Sequence, residues 1–435
     1  MKPYYEHGGF TVYQGDCLGR MAELEPDSID AIVTDPPYGL SFMGKGWDHG
    51  VPGEPFWAEA LRVAKPGAPL LAFGGTRTHH RLMCAIEDAG WEIRDCLMWL
   101  YGSGFPKSLD VSKALDKAAG AEREVIGVNE DYLRRKPNGM KTSGATAYQY
   151  SESQQETDAR ITAPATDLAR RWHGYGTALK PAWEPIILAM KPTDGTFAAN
   201  AEKWGVAGVN VEGCRVEHDG SGSWGEGRRS GGFVDTGASR GASEPNGAYS
   251  PAGRFPANLI LDEEAGALLD EQAGVRRSGL MRAGTQRGNR EGWAGPMPER
   301  TGAATYGDTG GPSRFFYCAK ASSADRNEGL EGMPAVVKAQ NNHGNASGDN
   351  PDPVSARWRS SMTNHHPTVK PRDLMRYLCT LVLPPERETP RVILDPFAGS
   401  GSTAIGAQLA GWDECILIER DPEYAEIARR RIAAV

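Results

Sequence analysis

Residues 391–412 read RVILDPFAGSGSTAIGAQLAGW, and this stretch decides the fold. The apolar run 392–394 predicts a buried strand that stops at Asp395, where Pro396 and Phe397 begin a turn. Gly399 and Gly401 permit positive φ and let a ligand approach the backbone closely. A helix is expected to start near Ser402, and its N-terminus would offer unpaired N–H groups. The next strand, ECILIE at 414–419, ends on Glu419, where an acid can grip ribose hydroxyls. Asp395 is placed to hold a cationic amine. Strand, glycine turn, helix, strand and terminal acid in series point to a nucleotide-like cofactor. The bland alternative is a tight β–α turn. No Lys-Ser/Thr follows the glycines, which argues against a P-loop.

Working outward, the same texture reappears near the start. TVYQGDC, DAIVTDPPY, APLLAFGG and WEIRDCLMWLY each read as a strand closed by turn residues. FWAEALRVAKPG reads as a helix ending at Pro66 and Gly67. Strands alternating with helices argue for a mostly parallel α/β sheet. Residues 102–364 differ: they are rich in Gly, Ser, Arg and Asn, with weak periodicity. Two ordered islands stand out there, the strand candidate PAWEPIILAMKP at 181–192 and the strand and helix of NLILDEEAGALLDEQAG at 258–274. PRDLMRYLCTLVLP at 371–384 predicts another helix. Two α/β regions around a dissimilar insert suggest one split domain.

A second chemical signal is Asp35-Pro36-Pro37-Tyr38, at a strand end. The Asp35 carboxylate can accept a hydrogen bond from an amino group. The carbonyl of Pro36 has no local amide partner on Pro37 and stays free to accept another. Tyr38 offers a flat face for a base. Two acceptors aimed at one NH2 steer its lone pair out of conjugation and towards an electrophile. The bland alternative is a Pro-Pro loop capped by an aspartate.

DPPY together with DPFAGSG resembles the amino-methyltransferases of DNA. The order, with DPPY first and the glycine turn late, is similar to their beta class. HPTVKP at 366–371 and Gly15-Asp16-Cys17-Leu18 match two further motifs of that family. The matching stretches cover about 10–105, 178–192 and 363–432. The resemblance implies a Rossmann-like, circularly permuted methyltransferase sheet with a large loop-rich target-recognition insert. The strands ending at Asp16, Asp35, Asp395 and Glu419 would all point one way, with Asp35 and Asp395 on neighbouring strands. On this reading 1–105 is the first part of the catalytic domain, 106–177 an insertion and 178–192 a strand returning to the sheet. Residues 193–362 are then the target-recognition region, and 363–435 complete the domain with the cofactor site.

The implied cofactor is S-adenosylmethionine. By resemblance, Asp395, Pro396, Phe397, Gly399, Gly401 and Ser402 line its methionine and ribose side, and Glu419 takes the ribose hydroxyls. Asp16 and Cys17 face its adenine. Thr368 and Lys370 close over the methionine end, and Asp35 borders both sites. The implied reaction is direct displacement at the exocyclic amine of a flipped base, with Asp35, Pro36, Pro37 and Tyr38 at the target. Asp at position 35 leans towards adenine, because cytosine-amino enzymes of the family more often carry Ser there. N4-cytosine methylation stays open, as do RNA or protein methylation and an inactive DNA-binding relic. C5-cytosine chemistry needs a nucleophilic thiol in a Pro-Cys dipeptide, and none occurs.

Composition sets the remaining bounds. A length of 435 residues with 39% hydrophobic and 24% charged residues supports a packed core, and Gly 54 and Pro 30 suggest long loops around it. A net charge of −8 gives no global basic signature, so a double-stranded DNA partner needs a local basic surface. Residues 272–300 offer one, with Arg276, Arg277, Arg282, Arg287, Arg290 and Arg300 against Glu291 and Glu299. A solvated Arg/Gly loop is the alternative. The seven cysteines show no C-x-x-C spacing, no metal site is expected, and the histidine pairs 79–80 and 365–366 read as surface or turn residues. No apolar run suits a membrane span, so the expected location is the cytoplasm, at the nucleoid. A homodimer and a separately encoded restriction nuclease remain open as partners. Residues 39–55, rich in glycine, are expected to form a lid over the site.

Overall fold

The computed structural model describes residues 2–40, 48, 50–104, 108–130, 159–217, 249–250, 253–277, 285–287, 291–292, 295–296, 300–302, 308–320, 324–331, 333, 336–339, 359–362, 364, 366 and 368–434. Ten strands join in one sheet: β1 (Tyr5–His7), β2 (Phe10–Gln14), β3 (Ala31–Thr34), β4 (Pro69–Phe73), β5 (Glu92–Leu100), β6 (Trp183–Met190), β7 (Leu259–Asp262), β8 (Tyr317–Ala319), β9 (Val392–Asp395) and β10 (Glu414–Glu419). Their order across the sheet is β1-β2-β10-β9-β3-β4-β6-β5-β7-β8. All run one way except β1, antiparallel to β2, and β6, antiparallel to both β4 and β5.

The C-terminal strands β9 and β10 slot between β2 and β3, which is the circular permutation. β9 pairs with β3 in the register Ile393↔Ala31 and Leu394↔Ile32. From β3 the chain moves outward through α2 (Glu54–Val63) to β4; from β9 it moves the opposite way through α6 (Ser402–Ala410) to β10. The boundary between β9 and β3 is therefore a topological switch point, where ligands of open α/β sheets bind beyond the carboxyl ends of strands.

The central strands β3, β4 and β9 are apolar up to Thr34 and Asp395 at their carboxyl ends, as helices covering both faces require. Alternate residues point to opposite sides. Ile32, Leu70 and Ala72 meet Trp57, Ala60 and Val63 of α2 and Leu82 and Ile86 of α3 (His79–Asp88). Val33, Leu71 and Phe73 belong to the other core, with Leu374 and Leu378 of α5 (Arg372–Leu381) and Ala404 and Ala407 of α6. Each buried leucine here contributes roughly 2 kcal/mol. A Cβ at Gly406 would stand 2.6 Å from the Met375 backbone, so that glycine sets the close approach of α5 and α6.

The structure departs from the sequence reading in three places. Residues 193–362, read as an insert, supply β7 and β8 to the sheet beyond β5, in the register Leu259↔Met98 and Ile260↔Tyr317. The run 259–261 is wholly apolar and needs two covered faces, while β8 is too short to show periodicity. Asp262 fixes the end of β7, accepting from Gly102 N and capping α4 (Glu263–Ala273) through Ala265 N. The strand predicted through Cys17 stops at Gln14, because the Asp16 carboxylate caps α1 (Cys17–Met21) by accepting from Gly19 N. Helix α3 was not anticipated. Among the described residues no helix is long and apolar enough to cross a membrane.

Candidate active site

The carboxyl ends of β2, β3, β9 and β10 open into one cavity of about 620 Å³, a size typical of small-molecule sites. Asp16, Cys17, Asp35, Pro36, Pro37, Tyr38, Thr368, Lys370, Asp395, Pro396, Phe397, Gly399, Ser402 and Glu419 all line it. Gly401 sits just behind, in the left-handed region with φ 76° at the N-cap of α6. Asp35 and Asp395 end neighbouring strands and face the same space.

At the β9 end, the glycine turn makes a cradle. Gly399 has φ 53°, and a Cβ there would lie 2.7 Å from His366 Nε2. The His366 ring fills that place, edge-on to Tyr424 at 4.5 Å between centroids. Its Nδ1 lies 2.6 Å from the Thr368 carbonyl, to which the Nδ1–H donates. Burial, with Arg326, Arg431 and Lys370 nearby, pushes its pKa down to about 4, so the ring is neutral at physiological pH. Buried Arg431 of α7 (Pro422–Ala433) holds the turn from below, donating to the Ser400 carbonyl at 2.6 Å and to Ser400 Oγ at 3.0 Å. Gly401 gives α6 no side-chain cap, so the first amides of the helix stay available to a ligand.

The two acids of the cradle are held differently. Asp395 accepts from the Thr34 and Thr403 hydroxyls, each at 2.6 Å, and from Phe397 N at 3.0 Å. It is 2% exposed. Burial raises its pKa to about 6 against those three donors. Its oxygens therefore fix the β9 turn to β3, where the sequence suggested a partner for a cationic amine. Glu419 accepts from Gly399 N at 2.8 Å and Asp421 N at 2.7 Å, and burial lifts it to about 7. A carboxylate has about four acceptor sites, so Glu419 retains capacity for hydroxyl donors. The Phe397 ring packs on Phe56 and Trp57 of α2, which anchors the turn laterally.

At the β3 end, four side chains form a charged knot. The Tyr38 hydroxyl lies 2.8 Å from Asp35 Oδ1 and 2.9 Å from Glu184 Oε2. Lys370 Nζ donates to the Tyr38 oxygen at 2.9 Å and to Glu184 Oε2 at 2.9 Å, and stands 3.1 Å from Asp35 Oδ2. Burial opposes the ammonium charge, but Asp35 and Glu184 outweigh it and hold the Lys370 pKa above its usual value. Burial and the same carboxylates push the Tyr38 phenol well up, so it stays protonated. No hydrogen bond to the Pro36 carbonyl forms among the described residues, which leaves that acceptor open to the cavity.

Three site residues add to the sequence reading. Lys370, expected by resemblance at the cofactor's methionine end, makes its contacts with Asp35, Tyr38 and Glu184. His366, read from the sequence as a surface or turn residue, is half-buried in the cradle; its neighbours Gly399 and Tyr424 are distant in sequence. Glu184 was not singled out. It enters because β6 is antiparallel, which brings the start of that strand to the edge where parallel strands finish. A lone acid opening the run WEPIILAM was the available signal.

Of the basic stretch, Arg276 and Arg277 form a short exposed strand paired with Thr309–Gly310. Arg287 lies in the strand Thr285–Arg287, and Arg282 and Arg290 lie outside the described residues. Of the expected lid, 41–47 and 49 also lie outside. Its base is pinned by Asp48, which accepts from Gly39 N at 2.7 Å and Leu40 N at 3.1 Å. No metal-binding group of His, Cys, Asp or Glu occurs among the described residues.

Fold and site together define a Rossmann-like α/β protein with a glycine cradle and an acid–tyrosine pocket side by side. A DNA methylase family model, the N6/N4 methyltransferases, matches residues 29–430, and the chain belongs to that family. The Type II methyltransferase M.HindIII of Haemophilus influenzae is 25% identical over 243 residues, covering 46% of this chain and 64% of that protein. The putative methylase YubD of Escherichia coli is 38% identical over 85 residues, 20% of this chain and 35% of YubD. These matches thus span less than two thirds of either relative. The solved PvuII DNA methyltransferase, described as cytosine-N4-specific, aligns with a TM-score of 0.42 at 13% identity, covering 99% of this chain and 88% of that one.

Proposed function

We propose that this protein transfers a methyl group from S-adenosylmethionine to the exocyclic amine of adenine in double-stranded DNA. The observation that carries the reading is the shared cavity, with the glycine cradle on β9 and the Asp35–Tyr38 pocket on the adjacent β3. The residues of the cradle suit the cofactor. The backbone of Gly399 to Ser402 would hold its amino-acid end, and Glu419 its ribose hydroxyls. Asp16 and Cys17, which line the same cavity, would face its adenine. When bound, it supplies an electrophilic methyl group.

Asp35 and the Pro36 carbonyl would accept from the target NH2 and point its lone pair at the methyl. Tyr38 would stack on the base, which must leave the duplex to reach the cavity. This is catalysis by position and electrostatics, without a covalent intermediate. Aspartate at position 35 supports adenine over cytosine. Arg276 and Arg277 are proposed as phosphate contacts, and Arg282, Arg287 and Arg290 extend that basic stretch in sequence.

The test is chemical. DNA incubated with the protein and methyl-labelled S-adenosylmethionine is digested to nucleosides. Label in N6-methyldeoxyadenosine is the expected result. Label in N4-methyldeoxycytidine would replace adenine by cytosine, and label confined to protein or RNA would overturn the DNA reading.

A further inference from the structure

Methylating an amine releases a proton, and the knot around Tyr38 contains a route for it. One phenol oxygen lies within 2.9 Å of two carboxylates, Asp35 Oδ1 and Glu184 Oε2, yet a phenol carries a single proton. Lys370 donates to the phenol oxygen and to Glu184 Oε2 and completes the arrangement at Asp35 Oδ2. Two carboxylates facing one ammonium leave an excess negative charge in the knot. It can take up one proton without losing any of its contacts.

Resting on the amine-methylation reading above, we infer that Glu184, reached through Tyr38, is the acceptor that removes the proton from the methylated amine. The amino nitrogen forms the new N–C bond, and the electrons of the broken S–C bond stay on sulfur. The nitrogen is then cationic. One of its protons passes to Asp35. A proton moves from Asp35 to the Tyr38 oxygen as the Tyr38 hydrogen moves to Glu184. The products are a neutral methylated amine, a thioether and a protonated Glu184, with Asp35 and Tyr38 restored. Asp35 contacts the base; Glu184 acts through Tyr38 and is a positioning residue that also holds charge. Lys370 keeps both carboxylates oriented while they exchange roles. The glutamate side chain is 22% exposed, so it can return its proton to water once the product leaves.

The test compares wild type, Glu184→Gln, Tyr38→Phe and the double variant on DNA carrying the site the wild type methylates. Glutamine keeps the shape and an acceptor for Lys370 but holds no exchangeable charge. Single-turnover rates are expected to fall about tenfold or more in each single variant. The double variant should be no slower than the slower single one, as for two members of one series. KM for DNA should stay within about twofold, and so should affinity for DNA carrying 2-aminopurine at the target, read by fluorescence without cofactor. A Glu184→Gln enzyme with the wild-type rate, an effect confined to KM, or additive losses in the double variant would overturn the inference while leaving amine methylation standing. A wild type that transfers no methyl to DNA would sink both.

Discussion

The two ends of the cavity are built on opposite principles. At the β9 end, acids are quenched by neutral donors: two hydroxyls and an amide on Asp395, two amides on Glu419. At the β3 end, acids are quenched by a charge, the ammonium of Lys370. The first arrangement fixes backbone shape through short-range contacts. The second keeps charge mobile within hydrogen-bond reach of where a substrate amine would sit. The difference teaches that burial alone does not mark the reacting end. Asp395 is the more buried aspartate, yet all its donors are the neutral groups of Thr34, Phe397 and Thr403.

The sharpest way to break this comparison is Asp35→Ala. Methyl transfer to DNA should fall by about 10³-fold or more, since a directed acceptor at the reacting atom is lost. Equilibrium binding of S-adenosylmethionine, followed by calorimetry, should change by no more than a few-fold. Equal damage to both would mean that the two ends are one unit.

Next in size is Lys370→Met. It strands two partly buried carboxylates, and urea unfolding should show a loss of about 3 kcal/mol. An unchanged midpoint would refute the idea that charge holds the β3 end together.

The β9 end is sharpened by pH. Glu419 sits at about 7, and hydroxyl donors favour its ionised form. Binding to the ionised form means that cofactor affinity rises with pH while the acid is protonated and levels once it is not. The affinity should therefore tighten up to about tenfold between pH 6 and 8. Glu419→Gln should flatten that part of the profile. A slope that survives the substitution would reassign the titration elsewhere.

The smallest effect lies away from the cavity. Arg276→Ala and Arg277→Ala should each lower the slope of log affinity for DNA against log salt by about one. Rates at saturating DNA should stay unchanged. A constant slope would remove both from the DNA surface.

Much of this was legible in the sequence where the signal is local. DPPY and DPFAGSG each carry their own geometry within a few residues: a strand, a stop and a turn that only particular residues permit. The apolar runs of β3, β4, β9 and β10 announced buried parallel strands. What stayed hidden depends on direction and distance. Glu184 needs the antiparallel sense of β6 before it reaches Tyr38. His366 needs a glycine and a tyrosine from two other segments to enter the cradle. β8 is three residues long and sits among glycines and arginines, where no periodicity can develop.

The insertion of β9 and β10 between β2 and β3 has a consequence for biogenesis. While the ribosome is still working through the middle of the message, the emerging polypeptide has β2 and β3 without the neighbours that join them. Their bare apolar edges invite chaperones or wrong partners, and closure waits on contacts spanning some of the longest loops in the chain. Neither ligand pocket can assemble until those late strands arrive.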